Sequence, residues 1–82
     1  MVVVEKRKED NRHVEYDYYI WDKRDEDNHG SIRLLKGHGE HGVSWKPAPA
    51  DTIEWYFHHA ISLILNMEKN NEFKDRDVAI WE

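Results

Sequence analysis

Cysteine is absent from these 82 residues, so neither a disulfide nor a thiolate zinc site can staple the fold. The same absence fits a cytoplasmic protein and removes the thiol nucleophiles. Proline occurs twice, at Pro47 and Pro49, and three of the four glycines fall in one short stretch at 37–42, so no phosphate-cradling glycine loop is present. The serines, Ser31, Ser44 and Ser62, stand outside any Gly-x-Ser-x-Gly context, and no His-Glu-x-x-His occurs. Carboxylates are abundant throughout and single out no acid–base pair. These absences point away from an enzyme and imply no cofactor.

Long apolar runs are missing too. The opening Met-Val-Val-Val-Glu is too short for a signal peptide, and the longest apolar stretch is amphipathic, so no targeting or membrane segment is expected. The one basic cluster, Lys6-Arg7-Lys8, is followed at once by Glu9 and Asp10. With a net charge of −5, direct binding to nucleic acid is not expected. Six acids against two bases in residues 13–29, and seven against three in 47–82, favour a basic protein partner; residues 30–46 are mildly basic.

What remains is a single domain, residues 1–82. A chain of this length buries roughly 60–65% of its unfolded surface, so its margin of stability is small and association with a second copy would add to it. The clearest element is a helix over 51–71. Asp51 and Glu54 are spaced as a capping box, Pro47 and Pro49 precede it, and Asn70-Asn71 suit its stop. At about 100° per residue, Ile53, Tyr56, Phe57, Ala60, Ile61, Leu63, Ile64 and Met67 share a stripe. Trp55 falls on the opposite, polar arc with His58, His59, Ser62 and Asn66.

Strand patterns surround the helix. Val2-Val3-Val4 is β-branched, residues 13–21 alternate, and 31–36 and 43–45 read as a hairpin closed by the glycine turn. Residues 77–81 alternate again after the helix. The expected fold is α+β: a small antiparallel sheet of three to five strands, a meander, packed against one helix in the order β(β)ββ-α-β. Its inner face would carry Tyr16, Tyr18, Ile20, Ile32, Leu34, Val43, Trp45, Val78 and Ile80. Tyr19, Trp21, Leu35 and Trp81 would lie on the other face, with Trp55 behind the helix.

Large aromatics outside a core point to an interface, so the expected function is a non-enzymatic protein-binding module that uses Tyr19, Trp21, Trp55 and Trp81. A concrete form is an inhibitor of a basic nucleic-acid-binding protein. There Glu15, Asp17, Asp22, Asp25, Glu26 and Asp27 would take the place of phosphates. A homodimeric structural domain is a second reading. A metal site at His38, Glu40 and His41 in the glycine turn is a third, since imidazole and carboxylate suit zinc-like ions. His58 and His59 diverge by about 100° on a helix and do not converge on one ion. Residues 25–36 begin like a calcium loop but place Lys36 where a bidentate glutamate is required, which leaves a solvated acidic loop.

Overall fold

The structure, a computed structural model, describes residues 1–81. Five strands and one helix follow in order: β1 (Val2–Glu9), β2 (His13–Ile20), β3 (His29–Leu35), β4 (Val43–Lys46), α1 (Trp55–Lys69) and β5 (Arg76–Ala79). The sheet order is β4-β3-β2-β1-β5, with every pair antiparallel. Strands β1 to β4 form the expected meander. The helix then carries the chain over one face, from the β4 edge to the opposite edge, where β5 joins β1. That crossover is why one helix covers the sheet.

Strand periodicity decides which side chains it covers. In β2, Val14, Tyr16, Tyr18 and Ile20 are buried and the residues between them only half so. Pairing brings Val2 and Val4 beside Ile20 and Tyr18, and Leu34 and Ile32 beside Val14 and Tyr16. Phe57, Ala60, Ile64 and Met67 of α1 close over them. Burial of each large apolar side chain contributes about 1.5–3 kcal/mol. The N-terminal valines are buried on both faces: β1 lies between β2 and β5, and Val2, Val3 and Val4 are all fully buried, while its far end, from Arg7 to Glu9, is exposed. Gly30 sits under the Tyr18 ring, where a Cβ would come 2.6 Å from Cζ and 2.8 Å from the Ala48 nitrogen.

Three expectations need correction. The helix begins at Trp55, because residues 52–54 form a turn that ends on Glu54 at φ 55°. Asp51 still caps it, but its carboxylate accepts from the N–H groups of Tyr56 (3.2 Å) and Phe57 (2.8 Å), and Glu54 makes no side-chain cap. Ile53 therefore leaves the apolar stripe and is 77% exposed. The phase of β5 is opposite to that expected. Ala79 pairs with Val2 and faces the helix, Val78 pairs with Val3 on the open face, and Ile80 is 78% exposed. The helix passes close to β5, and small Ala79 fits beneath it. Last, Trp45 takes the expected inner face, opposite Ile32 and stacked on Phe57 at 4.6 Å, but on an edge strand it is only half covered and remains 46% exposed.

Candidate protein-docking surface

One end of the molecule gathers most of its exposed apolar bulk. Trp81 lies beyond β5 in the helix-facing phase, and its indole stacks on His59 at 3.6 Å, with 7° between the planes. Tyr56 packs on the same indole at 5.7 Å, and Trp55 meets it edge-on at 6.5 Å. Trp81 was expected on the open face beside Tyr19 and Trp21; the reversed phase of β5 puts it with Trp55 instead. Trp55 is 50% exposed, as its place on the polar arc requires. Trp21 comes to the same end by register. Its N–H donates to Met1 O, next to the pairs Ile20–Val2 and Val2–Ala79, and its side chain is 56% exposed.

Tyr19 plays a different part. It lies on the open face under the Arg24 guanidinium, 4.1 Å from the ring centroid, and stacks with His29 at 4.9 Å. With Val78 it covers Val3, so it belongs to the sheet's own outer cover.

Half of the acidic candidates, Glu15, Asp17 and Asp22, are paired in place. Asp17 contacts Arg7 at 3.4 Å and His29 Nε2 at 2.8 Å, and Glu15 lies 4.0 Å from the same arginine. Arg7 reaches them because a bulge between Lys6 and Lys8 tips it over the open face. Asp22 pairs with Arg24 and Arg76, and both arginines also hold Glu5. The Arg24 hydrogen bonds lower the Glu5 carboxyl below its ordinary range. Asp25 accepts from the backbone and side chain of Asn28, which lowers its carboxyl too. Asp25, Glu26 and Asp27 are exposed and enter no ion pair among the described residues.

The histidine turn folds as a short 3-10 segment, Gly39–Gly42, with Gly37 and Gly39 at positive φ. His38, Glu40 and His41 are exposed, and among the described residues no three histidine, aspartate or glutamate side chains converge to hold a metal ion. The spacing brings the three together in sequence, but the turn sends them outward.

Both sheet edges are blunted. Lys36 N–H donates to Arg12 O, and alternation from that pair turns the backbone groups of Ser44 and Lys46 toward β3, leaving Val43 and Trp45 outward. Val43 N–H is taken by Glu40 O, and Pro47 ends the strand. At the other edge, Lys6 N–H donates to Asp75 O, so Arg76 and Val78 point outward, and Asp77 Oδ1 accepts the Val78 N–H at 2.8 Å. Short, capped edges disfavour strand addition.

No family model, curated protein or solved structure matches this chain. Among the described residues no helix is long and apolar enough to cross a membrane.

Proposed function

We propose that this chain is a non-enzymatic protein-binding module whose contact surface is the aromatic end formed by Trp21, Trp55, Ile80 and Trp81. The observation that carries this reading is the cluster of Trp55, His59 and Trp81, in which His59 stacks on Trp81 and Trp55 meets both edge-on, with Ile53 and Ile80, near Trp55 and Trp81 in the chain, also exposed. Rigid aromatics surrender little side-chain entropy on docking and supply much of the energy at interface centres. The phosphate-mimic form draws less support, because Glu15, Asp17 and Asp22 already have cationic partners within the chain. Only Asp25, Glu26 and Asp27 remain to attract a basic groove, and they would act at the rim by hastening encounter.

Photo-crosslinking separates the readings. A benzoyl-phenylalanine placed singly at 55, 80, 26 or 38 reports which surface meets protein in the cell of origin. Adducts are expected from 55 and 80, with a foreign protein or with a second copy of the chain. Adducts from 26 alone would instead support the acidic inhibitor, and from 38 alone the histidine turn. A silent result at 55 and 80 sinks the proposal. Binding through the aromatic end should also change little with added salt, whereas phosphate mimicry would weaken steeply.

A further inference from the structure

The β3–β4 half of the open face carries a feature of different chemistry. Two adjoining grooves of 520 and 250 Å³ share Arg7, Ser31 and Lys46 in their walls. Register sets the remaining polar groups: Ser31 lies opposite Lys46, and Arg33 opposite Ser44. Three cations and two hydroxyls therefore border one depression. Arg7 is shared with Asp17 and Glu15, while Arg33 and Lys46 enter no ion pair among the described residues. Two carboxylates also line the grooves. Glu15 is held toward Arg7 at 4.0 Å, and Glu26 stands in the wall of the larger groove. The rest of that wall is stiff: Pro47, Pro49 and the His29 ring, which is itself stacked on Tyr19.

We propose that this groove binds a phosphate monoester of a small molecule. Arg33 and Lys46 hold the phosphoryl oxygens, with Ser31 and Ser44 as further hydroxyl donors, and the body of the ligand lies along the Pro47–Pro49 wall. Arginine offers paired donors that match phosphoryl oxygens, and lysine adds a mobile point charge. The larger groove, which would hold the body of the ligand, falls within the range of about 300–1,000 Å³ that small-molecule sites occupy, and the smaller one lined by Arg33 and Ser44 has room for the phosphoryl group alone. A single phosphoryl group is favoured over a polyanion because the chain's net charge of −5 repels extended negative charge. The site is independent of the aromatic end.

The test is an amide NMR titration of the full chain with adenosine 5′-monophosphate, inorganic phosphate and adenosine, repeated on Arg33→Gln/Lys46→Gln and on Arg76→Gln. The monophosphate should shift residues 31, 33, 44 and 46 saturably, with a Kd on the order of 1 mM. Affinity should fall at least tenfold in the double variant and hold in Arg76→Gln, and adenosine should shift nothing. Equal binding of inorganic phosphate would overturn the role of the proline wall. Failure to saturate by about 20 mM monophosphate, or equal shifts in the double variant, would overturn the site altogether.

Discussion

Tyr18 receives the Ala48 N–H at 2.8 Å and gives its own proton to Asp51 at 3.0 Å, and Asp51 in turn accepts from Phe57 N–H. This buried relay ties β2, the proline loop and the start of α1 together through one hydroxyl. Tyr18→Phe keeps the ring but strands a donor on Ala48, and it removes a donor from a carboxylate that is 3% exposed. The expected loss is about 1–3 kcal/mol, read as a lower urea midpoint at unchanged m-value. A midpoint within error of the parent would mean that water replaces the hydroxyl.

At the scale of elements, β5 shows how local chemistry guards an exposed strand. Asp77 turns its carboxylate back on the Val78 N–H, so an outward donor of the free edge is occupied. Asp77→Ala frees that donor and removes a charge from the edge. The variant should self-associate more readily than the parent as concentration rises, seen by light scattering, with the parent monomer–oligomer balance as reference. The strand's phase was not readable from residues 77–81, since the pattern alternates equally well in either phase. Val78 and Ile80 are the more hydrophobic pair, yet Ala79 and Trp81 pack against the core on the helix side, where the Trp81 indole gains ring contacts with Tyr56 and His59.

For the whole molecule, the two fully buried phenols set the alkaline limit. Burial, aided by nearby carboxylates, raises both Tyr16 and Tyr18 well above the ordinary range. Above about pH 10 the unfolded chain therefore holds fewer protons than the folded one, so stability falls as pH rises. The slope should approach about 1.4 kcal/mol per pH unit for each phenol, or about 2.7 for both. Urea titrations from pH 9 upward check this, and Tyr18→Phe should roughly halve the slope. At low pH the sign reverses. Glu5, Glu9 and Asp25 are lowered by their partners, so the stability they contribute is lost as pH falls from the ordinary carboxylate range through those lowered values. The sequence isoelectric point of about 5.6 puts the net charge near zero there, so solubility should be poorest near pH 5–6, where turbidity measurements would find it.

The sequence by itself determined the secondary-structure order and the α+β class, because period-2 and period-3.6 hydrophobicity are local signals. It also determined the inner face of β2 and β3 and the buried stripe of α1, where each strand or turn carries enough large apolar residues to leave one orientation. Tertiary structure alone decided the rest. The place of β1 inside the sheet depends on β5 returning to pair with it, 71 to 77 residues later. The meeting of Trp55, His59 and Trp81 depends on the helix crossing the sheet to reach that edge. The neutralisation of Glu15 and Asp17 depends on a bulge that tips Arg7 over β2, and that of Glu5 on a turn that brings Arg24 back to β1. Each is a contact between residues far apart in the chain. No periodicity encodes such contacts, and only packing selects them.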